Sequence, residues 1–164
     1  MNTLKKIVFT GFSLLAGVVA CAQSALNVET VFQDYGKQKG VVLIELAKDV
    51  LGNHTKISRF KCMILSTDTL EKVIFDAIWK DLDGGQVMME SKKDGKIQKA
   101  CYCLKKKSDS PTYEYILFSN KSKKTTLIYL RGNFPPQQLD DELETLQHLF
   151  IKANNESIKF NIKL

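Results

Sequence analysis

Four short runs of strand-forming residues follow one another between Gln86 and Arg131 with only turns between them, and this pattern restricts the fold most. Gln86 to Ser91 leads into Lys93-Asp94-Gly95-Lys96. Asp-Gly is a strong hairpin signal, because both central residues of the favoured two-residue turn need a positive φ. Ile97 to Leu104 returns, Thr112 to Ser119 follows a Ser-Asp-Ser-Pro turn ending at Pro111, and Thr125 to Arg131 follows a lysine-rich turn. Strands joined so closely pair antiparallel, since a parallel pair needs a crossover of a dozen residues or more. The segment reads as an antiparallel meander.

The rest of the chain has to cover that sheet. Val28, Val31, Phe32 and Tyr35 have helical spacing, and Gly36 follows as a stop. Val41 to Leu46 reads as a buried strand, Ala47 to Leu51 as a brief helix, and Phe60, Cys62 and Ile64 as one side of a second strand ending at Leu65. The clearest helix runs from Asp68 to Leu82. Asp68 and Glu71 have the spacing of a capping box, and Leu70, Val73, Ile74, Ala77 and Ile78 form one apolar stripe. Phe75 and Trp79 widen the stripe, so Trp79 is expected in the core. Pro135-Pro136 opens a last helix with Asp140, Asp141 and Glu142 in its first turns, where acids favour the dipole. Leu139, Leu143, Leu146 and Phe150 are its core side. The expected fold is α+β: an antiparallel sheet of roughly five to seven strands with the two main helices packed on one face. Residues 157–164 alternate Ile158, Phe160, Ile162 and Leu164 with polar neighbours, as a terminal strand or tail would.

The start of the chain is of another kind. Lys5 and Lys6 precede an uncharged run from Ile7 to Ala20, and small residues follow. This is the three-zone pattern of an export signal, and the run is short of the roughly 20 residues a spanning helix needs. Ala20-Cys21-Ala22 before Gln23 favours cleavage after Ala22, giving a signal peptide over 1–22 and one domain over 23–164. Val18-Val19-Ala20-Cys21 also resembles a lipobox, in which Cys21 would carry lipid and hold the domain on a membrane. The net charge of +6 becomes +4 once Lys5 and Lys6 leave. That balance, with export, argues against nucleic acid. The positive charge gathers in three clusters: Lys92, Lys93 and Lys96; Lys105 to Lys107; and Lys121, Lys123 and Lys124. They read first as solvated turns and protected edges, and second as one basic rim meeting lipid head groups or an anionic glycan.

No residue set forms a recognisable active site. Cys62, Cys101 and Cys103 remain after either cleavage, an odd number that cannot all pair within one chain. Cys101 and Cys103 point to one face of a strand and are poorly set to bridge each other, whereas a bridge from Cys62 to one of them is open. Buried, unreactive thiols are the simpler reading. His54 and His148 are the only histidines, and neither has a base, nucleophile or metal-ligand companion in sequence. Asp81 and Asp83, like Asp140 and Asp141, sit at helix ends for structural reasons. No phosphate-binding glycine loop occurs, and no metal or cofactor is expected.

The segments Val31-Phe32-Gln33-Asp34-Tyr35-Gly36-Lys37-Gln38-Lys39-Gly40, Tyr115-Ile116-Leu117-Phe118 and Leu127-Ile128-Tyr129-Leu130-Arg131-Gly132 carry a resemblance. With the order of elements, they look like small secreted Bacteroidota proteins of a domain-of-unknown-function family. The resemblance implies an envelope location in a Gram-negative bacterium, periplasmic or at the outer membrane or cell surface, and brings no activity or catalytic residue. It also implies that Thr69, in Asp68-Thr69-Leu70, could accept an O-linked glycan. The expected function is therefore an exported, envelope-associated binding or structural accessory domain without catalysis, whose partner is an envelope protein or glycan. A membrane enters only if Cys21 is lipidated. Two other classes stay open: a thiol-dependent redox protein or enzyme using Cys101 and Cys103, and an assembly subunit using its C-terminal strand.

Overall fold

The computed structural model describes residues 26–66, 69–106 and 109–154 of the chain, with side chains through Leu149. The expected signal peptide over 1–22 with Cys21, the expected capping residue Asp68, Lys107, the side chain of Phe150 and the 157–164 tail lie outside the described residues.

The meander forms as its turns dictate. β1 (Val42–Ala47) and β2 (Ile57–Leu65) precede β3 (Gln86–Lys93), β4 (Lys96–Cys103), β5 (Tyr113–Lys121) and β6 (Lys124–Gly132). The six strands make one antiparallel sheet in the order β1-β2-β6-β5-β4-β3. The β3–β4 turn places Asp94 at φ 53° and Gly95 at φ 75°, the geometry that Asp-Gly favours. The β5–β6 turn adopts the same left-handed backbone with Ser122 at 55° and Lys123 at 62°, neither of them glycine.

Among the described residues four α-helices accompany the sheet: α1 (Asn27–Tyr35), α2 (Lys48–Leu51), α3 (Glu71–Asp81) and α4 (Leu139–Asn154), the last preceded by a 3-10 turn over Pro136–Gln138. α3 opens behind Leu70, whose side chain offers no cap. Gly36 ends α1 at a close approach to β1, where a Cβ would meet Phe32 O and sit 2.6 Å from Leu43 Cδ2.

The α+β class holds, but the two main helices do not share a face. Val28, Val31 and Phe32 of α1 and Ile74, Ala77 and Ile78 of α3 pack with Met63, Leu65, Tyr102, Ile116, Phe118, Leu127 and Tyr129. Leu139, Leu143 and Leu146 of α4, with Leu51 of α2, pack with Phe60, Cys62, Cys101, Cys103, Tyr115, Leu117, Ile128 and Leu130. Alternate residues of the same strands supply the two clusters, so they lie on opposite faces. The result is three layers with two cores. Each fully buried large side chain in them is worth about 1.5–3 kcal/mol of transfer free energy. This is why Tyr115–Phe118 and Leu127–Leu130 are continuously apolar rather than alternating: a strand covered on both sides has no wet face.

Two further expectations change. Val42–Ala47 is not a buried strand but an edge, its residues exposed or half-buried, with Val42 at 53% exposure. Trp79 is not a core residue. It stays 48% exposed and meets Tyr102 edge-on, with ring centroids 5.7 Å apart. Phe75 is the aromatic residue of α3 that reaches inward, 4.6 Å from the ring of Phe118.

Candidate binding surface

The reactive side chains are sealed in the cores. Cys62, Cys101 and Cys103 are free and buried, all on the α4 side. The register places Cys62 opposite Ile128, Ile128 opposite Leu117, and Leu117 opposite Cys101. The two cysteines are thus three strands apart in one row, about 14 Å at the usual strand spacing. A disulfide needs its Cα atoms within about 7 Å, so no Cys62–Cys101 bridge forms. Burial pushes the Cys62 thiol up to about 12. Burial also drives Cys101 to about 12, with smaller contributions from Cys103 and Asp140, and it raises Cys103. Cys101 Sγ lies 3.8 Å from the Met88 sulfur, in a soft apolar setting.

Of the candidate carboxylates, Asp81 holds structure. The Asp81 carboxylate accepts hydrogen bonds from Asn27 N at 2.8 Å, Asn27 Nδ2 at 2.7 Å and Val28 N at 2.7 Å. It therefore caps α1 from the end of α3, where Leu26 provides no capping side chain. Asp83, Asp140 and Asp141 are exposed, as are His54 and His148. His148 Nε2 lies 3.7 Å from Glu144 one turn away on α4. Thr69 is exposed in the turn ahead of α3. Among the described residues no three His, Cys, Asp or Glu side chains converge to hold a metal ion.

Two polar clusters escaped the sequence reading, because each joins residues far apart in the chain. Glu142 is buried on α4, and its Oε2 accepts from Thr55 Oγ1 at 2.6 Å and from Lys56 N at 2.8 Å. It clasps the loop between α2 and β2. Lys61 is buried on the opposite face, with Nζ 3.1 Å from Glu45 Oε1 and 3.9 Å from Glu29 Oε1. Arg59 Nη1 reaches the same Glu29 oxygen at 2.9 Å, off the hydrogen-bonding direction. Lys61 also stands 5.7 Å over the Phe32 ring, so α1 is held to β2 by charge as well as by packing.

Two places on the described surface gather side chains that a partner could meet. A groove of about 310 Å³ lies between α1 and α3, lined by Asn27, Thr30, Asp34, Val73, Asp76 and Lys80. The Lys72 ammonium lies 2.6 Å from Asp76 at its rim. The second place is one end of the sheet. β3 and β4 join there, β5 and β6 join there, and the α1–β1 connection arrives there, because β1 pairs antiparallel with β2 and begins opposite Ile64. The connectivity thus gathers Lys92, Lys93 and Lys96, then Lys121, Lys123 and Lys124, then Lys37 and Lys39, all exposed. Asp94 and Glu71 are nearby acids, and Glu90 is taken up by Lys92 at 3.2 Å. Lys105 and Lys106 go to the opposite end, in the β4–β5 connection, where Lys106 stands 4.4 Å over the Tyr113 ring. Two of the three sequence clusters therefore make one basic end, joined by a pair of lysines not singled out in the sequence.

Residues 15–143 match a family of unknown function, DUF6108, and the chain belongs to that family. No curated protein matches it.

Proposed function

We propose that this DUF6108 member is an exported, envelope-associated binding or structural accessory domain that does not perform catalysis. The observation that carries the reading is the division of its side chains. Cys62, Cys101 and Cys103 and the phenols of Tyr102, Tyr115 and Tyr129 lie inside two cores, and lysines from three distant segments, residues 37–39, 92–96 and 121–124, meet at one end of the sheet. A scaffold of this kind is suited to presenting a surface to a partner. The export pattern at Lys5 to Ala22 supports the exported compartment.

The geometry opposes the thiol-dependent reading. An attacking or redox-active thiol has to ionise near neutral pH and be reachable, whereas Cys101 is buried and pushed up to about 12.

The test is the mass of the processed N-terminus together with the cellular fraction that holds it. We expect a chain beginning at Gln23 in the soluble envelope fraction; a lipid-bearing Cys21 in the membrane fraction would also fit. An unprocessed chain beginning at Met1 in the cytosol overturns the reading, and so does substrate turnover by the purified protein.

A further inference from the structure

We propose that the basic end of the sheet binds a linear anionic polysaccharide laid across the two hairpin tips. The inference rests on the exported-binding-domain reading and names its partner.

Lysine on an open strand edge needs no partner to explain it, since it discourages edge-to-edge pairing. That account covers Lys92 and Lys93 on the outermost strand β3. It does not reach Lys121, Lys123 and Lys124, which sit on the hairpin between β5 and β6, two interior strands with no open edge. The tip of that hairpin also carries its charge at a backbone cost. Lys123 occupies a left-handed position, φ 62°, that favours glycine, whereas the neighbouring tip uses Gly95 at its equivalent place.

The arrangement is a line. From β3 to β1 there are five strand spacings, about 24 Å. Lysines stand at the outer two strands, at the β5–β6 tip and at the approach to β1. The six lysines of the two hairpins sit at or beside short turns on a sheet packed on both faces, so their backbone positions are fixed before anything binds, and Lys37 and Lys39 extend the line from the α1–β1 connection. A row of point charges on rigid turns matches a chain of regularly spaced carboxylates or sulfates. The field of such a row also raises the local concentration of polyanion.

A bilayer is a poorer match, because of where the chain enters. α1 begins at the end of the sheet away from the lysines, beside Asp81 at the finish of α3. Cys21 is five residues before Leu26. A lipid there would tether the opposite end and turn the lysines away from that membrane.

The experiment measures binding of polygalacturonate to the purified protein by affinity electrophoresis at physiological ionic strength. It compares wild type with a Lys96→Gln, Lys121→Gln, Lys124→Gln variant and with a Lys80→Gln, Lys105→Gln, Lys106→Gln control of equal charge. We expect the first variant to bind at least tenfold more weakly and the control to change less than twofold, with both unfolding at the wild-type temperature. Wild-type binding should weaken as salt rises, because exposed charges are screened. Equal losses in the two variants would reduce the effect to net charge and overturn the proposal. Binding to phosphatidylglycerol vesicles without binding to polygalacturonate would overturn it in favour of a membrane. A correctly processed, exported protein that ignores polygalacturonate sinks the polysaccharide and leaves the exported binding domain standing. An unprocessed cytosolic chain removes the reading beneath both.

Discussion

Asp81 illustrates how a residue's role depends on what the fold brings to it. In sequence it is one of two carboxylates at a helix end; in the structure its oxygens receive three hydrogen bonds from Asn27 and Val28. Replacing it with alanine should cost about 1–2 kcal/mol, the usual loss for a helix cap, read as a lower urea midpoint. Asp83→Ala, at an exposed position, should leave the midpoint unchanged. The cysteines give a pH signature of their own. Cys62 and Cys101 titrate near 12 in the folded chain, against 9.0 for an unperturbed thiol. The unfolded chain therefore loses these protons first. Their contribution to stability is complete below about pH 9 and declines as pH rises towards 12, by about 1.4 kcal/mol per pH unit for each thiol. Urea midpoints measured at intervals from pH 8 to pH 11 should fall from pH 9 upward, and less steeply in Cys62→Ala. Tyr102, Tyr115 and Tyr129, also pushed up by burial, add to the decline above pH 10. In the folded protein at neutral pH iodoacetamide should label none of Cys62, Cys101 and Cys103, and in urea all three. A profile flat to pH 11, or labelling without denaturant, contradicts the buried-thiol geometry.

At the scale of elements, the β5–β6 hairpin is the place where local sequence and local backbone disagree. Ser122 and Lys123 hold positive φ values that the β3–β4 turn assigns to Asp94 and Gly95. Lys123→Gly should relieve that strain and stabilise the protein by about 1 kcal/mol, seen as a higher thermal unfolding temperature. The same substitution should weaken polygalacturonate binding, so stability and binding move in opposite directions. A loss of stability would mean that the lysine side chain supports the turn. The strands themselves were largely legible. Each run in the meander became a strand within a few residues of its expected bounds, because alternation, β-branched residues and turn chemistry agree there. The covering of the sheet was not read correctly, although a signal for it was present. Tyr115-Ile116-Leu117-Phe118 and Leu127-Ile128-Tyr129-Leu130 are unbroken apolar runs, and such runs belong to strands buried on both faces. Trp79 was misplaced because a helical stripe records which residues are apolar, not how wide the partner surface is. α3 fills its contact with Ile74, Ala77, Ile78 and Phe75, and Trp79 is left on the rim.

For the whole molecule, the candidate surface was only half legible. The lysine clusters are plain in the sequence, but their meeting depends on strand direction, which brings two hairpin tips and the approach to β1 to one end and sends Lys105 and Lys106 to the other. Lys37 and Lys39 join them only because β1 runs antiparallel to β2. Glu142 and Lys61 left no local trace, since their partners are distant in the chain: Thr55 and Lys56 for one, Glu29 for the other.

With both faces of the sheet occupied, the two outer strands are, among the described residues, the places where backbone groups can meet another chain, and they are not equivalent. β3 breaks register twice along its pairing with β4 and carries Lys92 and Lys93. Such bulges and charges turn incoming strands away. β1 pairs with β2 without a break and presents Val42 to solvent. Copies of this protein that join through β1 use up their receptive edge in doing so. Assembly by that route ends at a two-fold pair and cannot continue into a fibre.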